Sequence, residues 1–552
     1  MENMKFIASA LSALLLALAL PNELTSQGVA LVGFFCLGPY FAALIKSRSY
    51  GEAALLGALF GALSHGVSSY WLYFFKDFAI WTLGSTSLAY GGLHALLAVF
   101  LRRITRIRRP QGYLVRPFLI ALLWTLWEWS KSIGFLGYPW GLVAYAVQNY
   151  PRLIQIADFT GVYGLSFLLS FSSAFMAEWF EQQGSARRAL WRPGLIGLCI
   201  FVWFSVYGMF KLAHPTPTVD RVPLLLIQHN ADTWVGGELD SLSTVMKLSR
   251  QGFDSVVSTG IPAGGLQKSK ATPGETEPRF YKPALIVWSE TVLRRPFEDY
   301  RPFYRKNPPD QPLIPFLEET GVPLLTGAPV VLNWETYDAT NSAILIEPTS
   351  RVAFSYAKQH PVPFAEAIPF WEYQWMRDFM KNVVGLDGGW TMGTTATVME
   401  IPTPSKRPLR FGVPICFEDA FAGLCADFYR KGADLMINIT NDSWSKTDSA
   451  EIQHFAAARF RTVENRRVLV RSTNAGLTAV VDAEGRTIAS LPLFVPAYLA
   501  VSVPVQRSDV PTVYFLLGDW FPALGAIIIL LYLVGTTIVA YRSPRDLHLT
   551  GL

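Results

Sequence analysis

Leu409-Arg410-Phe411-Gly412-Val413-Pro414-Ile415-Cys416-Phe417-Glu418 is the stretch whose reading decides the fold. The apolar run from Leu409 to Ile415 has the length and composition of a strand, and it ends on a thiol. Similar short runs begin at Pro223: Leu224 to Gln228, Ala284 to Trp288, Pro323 to Gly327, Ser342 to Ile346 and Leu435 to Ile439. Longer polar or helical stretches separate them. Residues 449 to 466 place Ile452, Phe455, Ala456, Phe460 and Val463 on one face and Arg459, Arg461, Glu464 and Arg466 largely on the other, which predicts an amphipathic helix. Val468 to Arg471 follows. Leu477 to Asp482 and Thr487 to Leu491 flank the turn Ala483-Glu484-Gly485, as in a hairpin. Strands alternating with helices predict an α/β domain with layered sheets.

Three reactive residue types stand at strand ends or in the loops after them. Glu290 follows Leu285-Ile286-Val287-Trp288-Ser289, Lys358 follows Ser355-Tyr356-Ala357, and Cys416 follows Val413-Pro414-Ile415. Sites in layered α/β domains are commonly built at such positions. A thiol attacks a carbonyl once it has lost its proton, a carboxylate can take that proton, and an ammonium can stabilise the resulting oxyanion. Singly, each has a blander reading, a solvated surface charge or a small core filler. Together they compose an acyl-transfer site.

Outward from this domain the composition changes. The 552-residue chain is 51% hydrophobic and only 16% charged, too apolar for a soluble protein of its size unless much of it lies in lipid. Stretches long enough to span a bilayer fall near 26–45, 52–75, 83–101, 117–137, 161–180, 193–212 and 517–541. An eighth, 5–20, is shorter. Its Ala17-Leu18-Ala19 resembles a signal-peptidase site, so a removable leader competes with a retained helix, which is favoured. The net charge of +5 does not point to nucleic acid, because the basic residues sit between apolar segments. Lys46 and Arg48, then Arg102, Arg103, Arg106, Arg108, Arg109 and Arg116, then Arg187, Arg188 and Arg192 occupy alternate connections, the others holding only Lys76, Lys131 and Arg152. Arg542 and Arg545 continue this positive-inside pattern, which puts the N-terminus in the cytoplasm and residues 213–512 outside. The expected division is a membrane part over 1–212, a catalytic domain over 213–512, and a final span with a short cytoplasmic tail over 513–552.

Smaller features complete the reading. Gly57 and Gly61 form a small-xxx-small pair suited to helix packing, and the turn-rich 138–160 connection suits a surface loop facing the soluble domain. Residues 254–280 read as an exposed insertion. Phe370 to Met376 reads either as core or as an aromatic loop in the headgroup region. Cys36 and Cys199 fall in spans. Cys416 and Cys425 could pair only by an unusual backbone path, so the thiols fit an enzyme better than a disulfide scaffold. His and Asp show no metal-ligand spacing.

The words around the reactive residues match a family. Trp288-Ser289-Glu290, Tyr356-Ala357-Lys358, Val362-Pro363-Phe364-Ala365-Glu366 and Ile415-Cys416-Phe417-Glu418 occur in nitrilase-superfamily order. Gly137-Tyr138-Pro139-Trp140-Gly141, the run Gln155 to Phe167, Gln228-His229-Asn230, Asn441-Asp442-Ser443-Trp444, Gln453-His454-Phe455 and Thr473-Asn474-Ala475-Gly476 narrow the match. Along nearly its whole length the chain resembles the apolipoprotein N-acyltransferase family. That resemblance implies a bundle of about eight transmembrane helices carrying an extracytoplasmic nitrilase-like αββα sandwich, in the bacterial inner membrane with the catalytic domain in the periplasm. It implies Glu290 as base, Lys358 as oxyanion stabiliser and Cys416 as nucleophile, with supporting or substrate-binding roles for Glu366, Glu418, Trp234, Phe417 and Trp444. A phospholipid would donate the acyl chain, a diacylglyceryl-modified apolipoprotein would accept it, and neither metal nor cofactor would be needed. Ser289, Phe417 and Ser445 depart from the family's usual proline, tyrosine and phenylalanine, which touches substrate contacts and removes no reacting group.

Two other readings use the same residues or the same spans. A membrane-tethered amide or nitrile hydrolase would employ Glu290, Lys358 and Cys416 but admit water to the thioester. A silent sensor or transporter would need ionisable groups inside the bilayer, and apart from Glu128, His65 and Glu178, near segment ends or polar patches, the spans offer few.

Overall fold

The computed structural model describes residues 2–75, 80–106, 112–232, 235–264, 278–363, 365–368, 370–384 and 388–542. Trp234, Lys76, Arg108, Arg109, Arg545, Phe364 and residues 265–277 of the expected 254–280 insertion lie outside them. Residues 254–259 are the end of a helix, Glu238–Thr259.

Twelve strands build the two large sheets: β1 (Thr218–Gln228), β2 (Leu285–Val287), β3 (Leu324–Asn333), β4 (Asp338–Ile346), β5 (Val352–Ala357), β6 (Val398–Ile401), β7 (Leu409–Gly412), β8 (Leu435–Thr440), β9 (Leu469–Thr473), β10 (Ala479–Val481), β11 (Thr487–Ser490) and β12 (Ala497–Gln506). One sheet runs β12-β1-β2-β3-β4-β5 and the other β11-β10-β9-β8-β7-β6. Each has three parallel strands, β1-β2-β3 and β7-β8-β9, with antiparallel neighbours outside them. Leu224 and Leu226 of β1 enter the core between the sheets, while Leu225 and Ile227 pack outward against Leu242, Val245 and Met246 of the Glu238–Thr259 helix. Burial on both faces is why these strands read as unbroken apolar runs. Ala422–Arg430 and Asp448–Asn465 cover the second sheet, giving helix, sheet, sheet, helix. β12 went unread because Pro504 interrupts its pattern. As an edge strand it tolerates the missing N–H.

The eight apolar segments contain helices, yet among the described residues three helices are both long and apolar enough to cross a membrane: Ile80–Thr105, Gly184–Ala213 and Trp520–Ile538. A pair bent by 117°, Pro151–Thr160 with Tyr163–Glu181, would make a fourth. Asn3–Ala19 and Ala30–Lys46 are shorter apolar helices, and Arg116–Ser130, with 15 residues, is about 22 Å long. Gly57 allows a very close approach, since a Cβ there would meet the His94 carbonyl oxygen at 2.3 Å and the Ala98 Cβ at 2.6 Å. The three ionisable groups singled out in the apolar segments, Glu128, His65 and Glu178, are partnered. Glu128 accepts from Trp124 Nε1 and the Val143 N–H and also from Ser166, His65 bonds Thr86, and Glu178 pairs with Arg116 at 2.8 Å.

The α/β part is seated on these helices by buried polar contacts. The Gln453 amide accepts from Trp71 and Trp140 Nε1, both at 3.1 Å, and donates to the Pro21 and Ser68 carbonyls at 2.8 and 3.0 Å. Arg466 pairs with Asp158 at 2.7 Å, and Asp158 also binds Lys211 at 2.9 Å. Hence the polar face of the 448–465 helix is not solvated as its amphipathic pattern suggests. Ser449 through Asn465 are all buried, the arginines meeting partners in the membrane part and in the second sheet's own loops.

Candidate active site

Two parallel strands, β2 and β7, and the antiparallel edge strand β5 deliver the reactive residues to one end of the two sheets. Glu290 follows β2, Lys358 follows β5 directly, and Cys416 follows β7 after Val413-Pro414-Ile415. All three are buried, with 4, 3 and 9% of their surface exposed. Gly327 makes room beside the base, because a Cβ there would lie 2.7 Å from the Thr291 nitrogen and 2.9 Å from the Glu290 Cα. Lys358 Nζ donates to Glu290 Oε1 at 3.2 Å and lies 2.8 Å from each carboxylate oxygen of Glu366. Asn341 Nδ2 bridges the same two carboxylates at 2.8 and 3.1 Å, and the Asn441 backbone N–H donates to Glu290 Oε2 at 3.1 Å. Asn341 was not singled out from sequence, and Asn441 only as part of a word. No residue pattern marks an amide that points at two carboxylates.

Cys416 sits at φ +51°, a left-handed conformation that costs a residue with a Cβ on the order of 1 kcal/mol. Thr291, beside the base, is at φ +57°. The Cys416 turn is held from two sides. Asn438 Nδ2 donates to the Pro414 and Cys416 carbonyls, both at 3.0 Å. Glu418 accepts from the backbone N–H groups of Gln359, His360 and Ile415 at 2.7, 2.9 and 2.8 Å and from the Tyr356 hydroxyl at 2.9 Å. One carboxylate thus joins the residues after Lys358 to the residue before Cys416. Burial pushes Glu418 up to about 7 against those three backbone N–H groups and the Lys358 charge. Beneath Asn441, Asp442 meets His454 at 3.1 Å and Arg471 at 3.5 Å. Burial alone would raise the Asp442 carboxyl, but these two hold it down to about 2.

Phe417 packs on Trp140 at 5.8 Å and Phe421 at 4.8 Å, facing the membrane part. Trp444 joins Trp71 and Phe75 at 5.3 and 5.1 Å, so it belongs to an aromatic seam with the membrane helices and not to the reactive trio. Phe370, Tyr373 and Trp375 are exposed, while Met376 of the same run is buried with Ile368 and Met380 and Trp371 packs against them. All four cysteines are free.

The electrostatics describe a resting site. Burial, then Glu290, push the Cys416 thiol well above its ordinary value, although Lys358 opposes them. Burial and Glu366 likewise raise Glu290 against the pull of Lys358. Burial works against the Lys358 ammonium, but Glu290 and Glu366 together hold it well above the usual lysine value. The thiol therefore rests protonated beside a carboxylate of raised basicity and a fixed cation, an arrangement in which the proton leaves as the sulfur attacks. A cavity of about 310 Å³, lined by Glu290, His229, Arg294, Asn341, Trp390 and Asn441 among others, opens beside the base.

Residues 12–175 match the family model described as apolipoprotein N-acyltransferase N-terminal domain, and residues 311–509 match that described as carbon-nitrogen hydrolase. "Apolipoprotein N-acyltransferase 2" of Treponema pallidum is 37% identical over 530 residues, covering 95% of this chain and 93% of that protein. "Apolipoprotein N-acyltransferase" of Borreliella burgdorferi is 31% identical, with 99 and 98% covered. A solved amidase from Nesterenkonia sp. aligns with a TM-score of 0.35 and 15% identity over 53% of this chain and 93% of that one. Identity above 30% sustained over more than nine-tenths of both partners places the chain in a family: it belongs to the apolipoprotein N-acyltransferases.

Proposed function

We propose that this chain transfers a fatty acyl group from a phospholipid, through a thioester on Cys416, to the α-amino group of the diacylglyceryl-cysteine of a bacterial apolipoprotein. The observation that carries the reading is the buried thiol flanked by a carboxylate and a cation, in a chain of this family. Cys416 Sγ attacks the ester carbonyl as Glu290 takes its proton, and the Lys358 ammonium meets the oxyanion. Collapse of the tetrahedral intermediate breaks the C–O bond, and Glu290 hands its proton to the departing lysophospholipid oxygen. The incoming amine then attacks the thioester, Glu290 removes an amine proton, and that proton returns to the sulfur as the C–S bond breaks. Glu366 shares the Lys358 cation, Glu418 sets the distance between the cation's loop and the nucleophile's turn, and Phe417 and Trp444 bear on the lipid side, while the substrate contact that the family resemblance implies for Trp234 falls on a residue outside the described ones.

Eight helical segments cross the inner membrane in this reading, with residues 213–512 on the periplasmic face, where both lipid-anchored substrates can reach them. The support is the alternation of basic loops and the contacts between Gln453 and Arg466 and the membrane part. The exposed aromatics at 370–375 suit a rim that keeps water from the acyl-enzyme.

Purified protein incubated with phospholipid and no amine is expected to gain one acyl mass that persists, and then to lose it to a synthetic diacylated peptide, with both products read by mass. An unmodified protein, or an adduct released as free fatty acid instead of N-acyl peptide, contradicts the transfer. A smaller effect is expected for Glu418→Gln, whose amide turns N–H toward N–H: kcat falls by on the order of 10²-fold, the scale of a nucleophile misplaced by about 1 Å, while KM moves little. A kcat within twofold of wild type would remove the positioning role.

A further inference from the structure

At the end of the second sheet opposite Cys416, Arg407, Arg410, Tyr429, Asp434, Arg467 and, beyond the sheet, Arg507 surround a cavity of about 230 Å³. Four arginines and one aspartate line it, with the Arg410 guanidinium donating to the Lys431 carbonyl at 3.0 Å and lying 4.0 Å from Glu400. Asp434 is committed, since it pairs with Arg407 at 3.5 Å and accepts from the Arg410 N–H at 3.2 Å. The Arg507 side chain has no hydrogen bond or ion pair recorded among the described residues. The Tyr429 hydroxyl and the Arg467 Nε are buried polar atoms without a partner, and Tyr429 itself is 7% exposed. Converging cations and an orphaned buried hydroxyl together form a surface that an oxyanion completes. Burial, with the neighbouring Arg507 charge, lowers the pKa of the Arg467 guanidinium against the opposing pull of Tyr429 and Asp434.

The residues next to those lining the cavity contact the apolar helices and the segment leading to the last of them. Arg466, next to Arg467, pairs with Asp158, which also binds Lys211 in the last turn of the apolar helix Trp191–Ala213. Arg430, next to Tyr429, sits over the Phe515 ring at 5.6 Å, beside the exposed Leu516 and Leu517. Arg507 itself begins the 13-residue descent to the span that starts at Trp520. We infer that this cavity is an accessory site for the phosphate group of a membrane phospholipid, separate from the acyl-transfer site. It cannot be the donor site. The six residues of β8 separate Asp434 from Asn441, the residue that bonds Glu290, by about 20 Å, and a lipid's ester carbonyls lie only a few bonds from its phosphate. A lipid seated here ties the α/β part to the bilayer surface through charge-assisted hydrogen bonds. This holds whichever acceptor Cys416 serves.

The test uses the full-length protein in detergent, with dihexanoylphosphatidylglycerol titrated and its adducts counted by native mass spectrometry, and with inorganic phosphate and dihexanoylglycerol in parallel. Arg410→Gln/Arg507→Gln removes two exposed side chains and should leave the fold intact. The double variant is expected to bind the phospholipid at least about tenfold more weakly, and Tyr429→Phe a few-fold more weakly. Dihexanoylglycerol should not bind, inorganic phosphate should bind more weakly than the lipid, and thioester formation on Cys416 should keep its wild-type rate in both variants. Unchanged lipid affinity in the double variant overturns the site. Phosphate binding as tightly as the lipid overturns the lipid as occupant, and a parallel fall in thioester formation overturns its separation from catalysis.

Discussion

Cys416→Ala is expected to take up no acyl mass and to lose acyl transfer by roughly 10⁶-fold, the scale seen when a covalent nucleophile is removed. The loss should be this complete because nothing else in the site can replace the sulfur. Glu290, Lys358 and Glu366 are tied to one another, and Cys425, the other thiol of the α/β part, is buried and turned toward the Glu418 and Asp419 carbonyls. Wild-type activity should also carry the signature of a base matched to a buried thiol. Glu290 must be ionised to act, and burial raises its pKa, so kcat/KM falls as pH drops through a value above the ordinary carboxylate range near 4.3. Glu366 contributes to that rise. Glu366→Gln should therefore shift the acid limb to lower pH even while lowering the plateau, a shift readable from the shape of the pH profile alone. An acid limb at or below 4.3 in the wild type would remove Glu290 from the role.

The strand ends were legible because chemistry and pattern coincide there. An apolar run stopping at Glu290, Lys358 or Cys416 is visible to any reading that looks for reactive residues at the ends of strands. What escaped were features made by position alone. Asn341 gives no sign in sequence that its amide will span Glu290 and Glu366, and Glu418 gives none that it will collect three backbone N–H groups. The 448–465 helix misleads for a related reason. Its charged face suggests solvent, but the fold supplies Asp158, Gln148 and the Ala420 carbonyl in place of water. The membrane part divides similarly. The apolar segments contain helices, but among the described residues three are long and apolar enough to cross a membrane, and Arg116–Ser130 and the bent 151–181 pair depart from the straight, membrane-length helix that hydropathy assumes.

Lys358→Met is expected to cost more than the loss of an oxyanion donor. Removing one such donor accounts for about 10²- to 10³-fold in kcat. Here the same cation also neutralises two buried carboxylates, so its removal leaves Glu290 and Glu366 facing each other with Asn341 as their shared donor. Like charges in that setting force a proton onto one of them, and the pKa of Glu290 climbs further. At neutral pH the base is then lost as well, a further 10²-fold or more, and the protein is destabilised by about 3–5 kcal/mol, the usual penalty for breaking a buried pair. The two losses separate by pH. Raising the pH should return the part due to Glu290 protonation and leave the oxyanion part, so the ratio of wild-type to variant kcat narrows as pH rises. A ratio constant with pH would mean that Lys358 acts on the oxyanion alone. Lys358→Arg tests geometry at constant charge: a planar guanidinium cannot place one donor both between the carboxylates and at the oxyanion, so stability should largely return while activity does not.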